Sequence, residues 1–230
     1  MYRYRNKRKY NYLSDDDSSD NAPINKLTES FTENLFENLF SQKKKNHSDE
    51  VYRENNHIYF KTEITLETID LLIKLIREFD EEVKSIKADP YSKYFNQPDL
   101  YIHITTYGGD LYSSLMFYDT IKLKDYNVVT IAEGYVASGG TIMMLGGKKR
   151  QIQKSCVMLI HQLSTVMGGK FEELKEDFKN SEQDMKRLIK IYHSETHNKM
   201  TKKQIEDALK HDYWWDADTC INKGLCDEIL

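Results

Sequence analysis

From residue 57 onward, short apolar runs alternate with longer amphipathic stretches. His57-Ile-Tyr-Phe60, Leu100-Tyr-Ile-His-Ile-Thr105, Asn127-Val-Val-Thr-Ile131 and Cys156-Val-Met-Leu-Ile-His161 have the length and composition of strands. Between the first two, Leu66, Ile69, Ile73, Ile76, Phe79, Val83 and Ile86 fall on one stripe and predict a long helix bounded by Pro90. Gly108-Gly109 reads as a tight turn, and residues 111–123 as the next helix. Strand, Gly-rich turn and helix therefore repeat as a unit, which predicts a mostly parallel sheet with helical crossovers. In such sheets, functional groups gather at the carboxyl ends of the strands, where Gly109 and Ser138 both fall.

Past His161 the chain turns polar. Residues 171–196 predict a long helix with a thin apolar stripe of Leu174, Phe178, Met185, Leu188 and Ile191, a width suited to packing between subunits as well as to a solvated helix. A short helix is expected over 201–209, an anchor at Asp212-Tyr-Trp-Trp215, a helix from Asp216 to Gly224 and a last strand to Leu230.

Residues 1–50 are different. A basic block (Arg3 to Lys9), an Asp/Ser block and Lys43-Lys-Lys45 cannot bury enough apolar surface to fold alone, so this part is read as a polar, largely disordered extension. One amphipathic helix is expected within it, over 27–41, where Leu27, Phe31, Leu35, Phe36, Leu39 and Phe40 share a face. It fits either packing on the chain's own domain or docking to another subunit. The folded domain is assigned to 51–230.

Composition narrows the function classes. A formal charge of −4 over 230 residues gives no ground for nucleic-acid binding, and no apolar run reaches the roughly 20 residues that span a bilayer. Three cysteines, Cys156, Cys220 and Cys226, lack metal-ligand spacing, so no metal is expected, and an odd, sparse count suits a reducing compartment. The basic N-terminus is followed by polar residues and not by an apolar core, so no secretory signal is read there and a cytoplasmic location is expected. Gly146-Gly-Lys-Lys149 lacks the spacing of a phosphate loop.

The chemistry concentrates at Gly134-Tyr-Val-Ala-Ser-Gly-Gly140 and at His161. If Gly139 and Gly140 open a helix, the Gly139 amide is free beside Ser138, where a nucleophile and an oxyanion site can share one turn. Taken singly, Ser138 is a tolerated small residue and His161 a satisfied core histidine. In order, Gly108-Gly109, Gly-Tyr-Val-Ala-Ser-Gly-Gly, Met158-Leu-Ile-His-Gln162, Asp212-Tyr-Trp-Trp-Asp-Ala217 and Gly224-Leu-Cys-Asp-Glu-Ile-Leu230 together resemble the ClpP family, the proteolytic subunits of Clp proteases.

That resemblance, from about residue 57 to 230, implies an α/β fold of the ClpP/crotonase type. This is a spiral of strand-turn-helix units with a mostly parallel sheet and a long helical handle. It implies a serine endopeptidase with Ser138 as nucleophile, His161 as general base and Asp212 orienting the histidine, with Asp216 and Asp218 close by. It puts the oxyanion amides at Gly109 and Gly139, and peptide alignment at Gly168 and Gly169. It further implies a homo-oligomer of two stacked heptameric rings, polypeptide substrates, and a partner AAA+ unfoldase through which alone ATP would act; no cofactor is expected in this chain. Where the family has Ser-Pro before its glycines, this chain has Thr106-Tyr107, which predicts a less preorganised turn. Two alternatives share the fold: a non-catalytic ring subunit, and a crotonase-like acyl-CoA hydratase or isomerase.

Overall fold

The computed structural model describes residues 49–91 and 98–230. The extension and its 27–41 helix lie outside the described residues.

Eight strands form one mixed sheet. β1 (Val51–Glu54) and β2 (His57–Phe60) make a hairpin closed by Asn55, whose φ of 56° is a conformation asparagine tolerates. β2 then runs parallel to β3 (Leu100–Thr106), and β3 to β4 (Val128–Ala137). β3 alternates buried and half-buried positions, placing Leu100, Ile102, Ile104 and Thr106 on the core face. The crossover between β2 and β3 is α1 (Leu66–Ala88), started by a Thr65/Thr68 capping box. Ile69, Leu72, Ile73, Ile76, Phe79 and Val83 bury the predicted stripe, while Leu66 and Ile86 at its ends are exposed. α2 (Leu111–Lys122), capped by Asp110, crosses from β3 to β4.

β4 departs from the expected short strand 127–131. It continues to Ala137 because Gly134 takes φ 61° and absorbs a register shift opposite Ile104 and Thr106. The bend divides its free edge. Val129–Ala132 pair with β5 (Lys149–Ile152), and Tyr135–Ala137 with β6 (Val157–Leu159). β8 (Glu228–Ile229) extends the sheet from β5, and β7 (Trp214–Trp215) lies antiparallel to β6.

Between β4 and β5, α3 (Gly139–Leu145) is buried on all sides, its one polar side chain, Thr141, being hydrogen-bonded. α4 (Phe171–Glu195) is the long polar helix. Its buried face is Asp184, Leu188 and Tyr192 at four-residue spacing, so the predicted stripe is rotated: Met185 and Ile191 are only half-buried and Phe178 is exposed. The reason is hydrogen bonding. The Tyr192 hydroxyl bonds Thr141 Oγ1 at 2.5 Å and Asp184 Oδ2 accepts from the Tyr112 hydroxyl at 2.8 Å, so each of these two buried polar residues has a hydrogen-bond partner. α5 (Lys202–Leu209) and α6 (Ala217–Lys223) match their expected spans, α6 ending in left-handed Gly224. Of the expected anchor at 212–215, Tyr213 and Trp214 are exposed and Trp215 half-buried under Lys223.

Candidate active site

Ser138 sits where β4 turns into α3, with φ 55° and ψ −125°. A non-glycine residue in that region carries strain of about 1–3 kcal/mol. The surroundings outweigh it. Met143, Met144 and Leu145, on the helix that Ser138 leads into, are fully buried, and each such side chain contributes about 1.5–3 kcal/mol. Locally, Ser138 N–H donates to Leu159 O at 2.9 Å, and Thr141 Oγ1 donates to Ser138 O at 2.7 Å. The Ser138 side chain makes no capping hydrogen bond, which leaves its hydroxyl for other chemistry.

The loop after β3 packs against this turn. A Cβ on Gly108 would fall 2.6 Å from Ser138 Cβ and 3.1 Å from Ser138 Oγ, so only glycine lets the two turns touch. Gly109 bridges to Ile64: Ile64 N–H donates to Gly108 O at 2.9 Å and Asp110 N–H to Ile64 O at 2.8 Å. That bridge leaves the N–H of Gly109 itself unspent. Asp110 Oδ1 then accepts from Ser113 N–H and Oγ, which locks the loop onto α2. The loss of proline at Tyr107 does not loosen the turn as the sequence predicts. Thr106 Oγ1 accepts from Gly108 N–H at 3.0 Å, and Tyr107 stacks on Tyr135 at 4.1 Å, so side-chain contacts replace the ring constraint.

His161 follows β6, half-buried. Its position is fixed by Gln162 N–H, which donates to Leu209 O at 2.7 Å, and by Leu163 N–H, which meets Met185 Sδ at 3.2 Å. Ser138, Gly139, Gly109 and His161 line a single cavity of about 520 Å³ whose far wall is α4. Asp212 is outside that lining and exposed. The antiparallel register of β6 and β7 ends at the Leu159–Trp214 pair, two residues before His161 on one strand and two after Asp212 on the other. Among the described residues no hydrogen bond joins Ser138, His161 and Asp212 to one another. Gly168 and Gly169 are exposed beyond Met167, which lines the cavity, and they lead directly into α4.

No cysteine competes for the nucleophile's role. Burial pushes the Cys156 and Cys226 thiols up to about 12, and Cys220 higher still, so none is a thiolate at neutral pH. Asp184, Tyr192 and Tyr112 are among the lining residues that escaped sequence reasoning. The four-residue spacing of Asp184, Leu188 and Tyr192 was the available signal, masked because two of the three are polar.

The arrangement offers a hydroxyl on a strained turn, an imidazole and two glycine amides around one cavity, the parts needed for acyl transfer. The sequence profile of the Clp protease family matches residues 92–230. Relatives include the ATP-dependent Clp protease proteolytic subunit 3 of Rhodococcus jostii, 29% identical over 157 residues, covering 67% of this chain and 73% of the relative. Proteolytic subunit 2 of Tropheryma whipplei is 28% identical over 68% of this chain and 84% of its own. The proteolytic subunit of Streptococcus mutans is 33% identical over 59% and 70%.

Proposed function

This chain belongs to the Clp protease family, and on that premise we propose that it is a serine endopeptidase cleaving unfolded polypeptides at the Ser138 cavity. The Ser138 hydroxyl attacks the peptide carbonyl as His161 takes its proton. The oxyanion is met by the amides of Gly109 and Gly139, and His161 then returns the proton to the leaving amine. Water, activated by the same imidazole, hydrolyses the acyl-enzyme. Asp212 holds the imidazole in the tautomer that keeps its inner nitrogen free to accept. Because the three side chains are not hydrogen-bonded to each other, closing the triad is a step that accompanies substrate binding or assembly. Gly168 and Gly169 align the bound chain as an extra strand.

The subunits assemble as a homo-oligomer of two stacked heptameric rings in the cytoplasm. A partner AAA+ ATPase delivers substrate and is the only component that uses ATP. Among the described residues no helix is long and apolar enough to cross a membrane.

The observation that carries this reading is the convergence of Ser138, His161, Gly109 and Gly139 on one cavity. Membership of a protease family disfavours the acyl-CoA alternative. The test is Ser138→Ala with a short fluorogenic peptide. Hydrolysis should fall to the residual that an oxyanion hole alone supports, roughly 10³-fold over water. Cleavage at the wild-type rate would overturn the assignment.

A further inference from the structure

The walls of the active-site cavity carry charge of one sign. Among the described residues three aspartates line it, Asp110, Asp177 and Asp184, and no lysine or arginine does. Asp110 is committed to capping α2 and Asp177 is exposed at the rim. Asp184 differs from both. It is 8% exposed, on the inward face of α4 one turn before Leu188. Its Oδ2 accepts from the Tyr112 hydroxyl at 2.8 Å. Its Oδ1 has as its one ion pair among the described residues the approach of Arg187 Nη1 at 3.6 Å, beyond hydrogen-bond reach, from a side chain that is 54% exposed. A tyrosine hydroxyl orients a carboxylate without neutralising it, so Oδ1 is left to accept from a cationic group.

We propose that Asp184 is the specificity determinant of this protease, selecting a lysine or arginine side chain on the residue whose carbonyl Ser138 attacks. The inference rests on the peptidase reading above and adds the substrate class. That residue's side chain enters the space next to Ser138 and Gly139, between Ile142, Leu188 and Tyr192. The apolar walls take the methylene stem, and Oδ1 of Asp184 takes the cationic head in a charge-assisted hydrogen bond. Arg187 has only the long contact to lose and swings into solvent. An apolar side chain in the same place would strip water from Asp184 and give nothing back, so the pocket discriminates against it as well as for the cation. Tyr112 lies three residues beyond Gly109, so the bond that aims Asp184 also ties this wall to the loop proposed to hold the oxyanion.

The test uses the full-length protein and two fluorogenic peptides that differ only in carrying arginine or norleucine at the acyl residue. The wild type should show kcat/KM at least about tenfold higher for the arginine peptide, and Asp184→Asn, which keeps the shape and the Tyr112 bond, should shrink that ratio about tenfold or more, chiefly through KM. Arg187→Gln should hold or raise it. A wild-type ratio near one, a measurement that needs no variant, would overturn the proposal while leaving the peptidase intact, as would an unchanged ratio in Asp184→Asn. Cleavage of neither peptide by the wild type would remove the peptidase reading and this proposal with it.

Discussion

Replacing Gly109 with alanine perturbs the loop beside Ser138 at a single atom. Gly109 has φ +149°, and a Cβ there would lie 2.1 Å from the carbonyl oxygen of Ile64, with Ile64 C and N at 2.8 and 2.9 Å. These are backbone atoms and cannot rotate away. Ile64 is itself held by two hydrogen bonds, to Gly108 O and from Asp110 N–H, so relief means opening that bridge. The strained φ costs about 1–3 kcal/mol, and each lost bond about 0.5–1.5 kcal/mol. Together these amount to about 2–6 kcal/mol, or a fall in Tm of roughly 4–24 °C for a domain of this size. The proposed oxyanion amide moves with the loop, and loss of one such donor costs about 10²–10³ in kcat. Differential scanning fluorimetry and peptide hydrolysis below the new Tm read the two effects separately. Gly168→Ala, which meets nothing within 4 Å, should leave Tm unchanged and serves as the control. Gly109→Ala with Tm and kcat both close to wild type would refute the claim that this glycine is forced by Ile64 and borders the oxyanion.

Two further outcomes follow from other parts of the fold. Burial pushes the Asp227 carboxyl up, but the hydrogen bonds and charge of Arg150 outweigh it and hold it below the usual carboxylate range. A depressed carboxyl contributes stability above its unfolded value of about 3.9, lost as pH falls through the folded value. Asp227→Asn should therefore cost about 3 kcal/mol at neutral pH, the low end for breaking a buried pair because the carboxylate is one-third exposed. The Tm gap to wild type should hold at neutral pH and narrow as pH falls below about 5 toward the folded value, and a gap independent of pH would count against the pair. On α4, Phe171 and Phe178 are 72% and 59% exposed; if subunits cover them, Phe178→Asp should shift sedimentation to smaller species without lowering the Tm of the subunit, and unchanged sedimentation would exclude that face from the ring contact.

Much of the fold was legible because its main elements carry their own signals. α1 has an uninterrupted stripe, β3 alternates, and α3 runs into the apolar Ile142-Met-Met-Leu145. The strands that sequence reasoning missed, β1, β5 and β7, are only two to four residues long, and Lys149-Arg-Gln-Ile152 is polar. β5 is a strand only because β4 and β8 flank it. Gly134 reads as the start of a turn, yet it is a bend inside β4, since a glycine that ends a strand and one that bulges it look alike in sequence. At the site, Ser138, Gly109 and His161 stood out as candidates only through the ordered set of motifs that resembles the ClpP family, since singly each reads as a structural residue. Asp184 and Tyr192 did not, because their burial depends on hydrogen-bond partners, Tyr112 and Thr141, that are 72 and 51 residues away. Tyr107 reads as a lost proline, and its stacking on Tyr135 was invisible until β3 and β4 were brought side by side.

The central claim is that Ser138 is an activated nucleophile, and covalent labelling with a fluorophosphonate followed by peptide mapping tests it most directly. Ser164 and Ser181 line the same cavity, so the site of modification decides the matter and not labelling alone. The account predicts a single adduct on Ser138, absent in Ser138→Ala and formed far more slowly in His161→Ala. An adduct on Ser164 or Ser181, or wild-type labelling in Ser138→Ala, would contradict it.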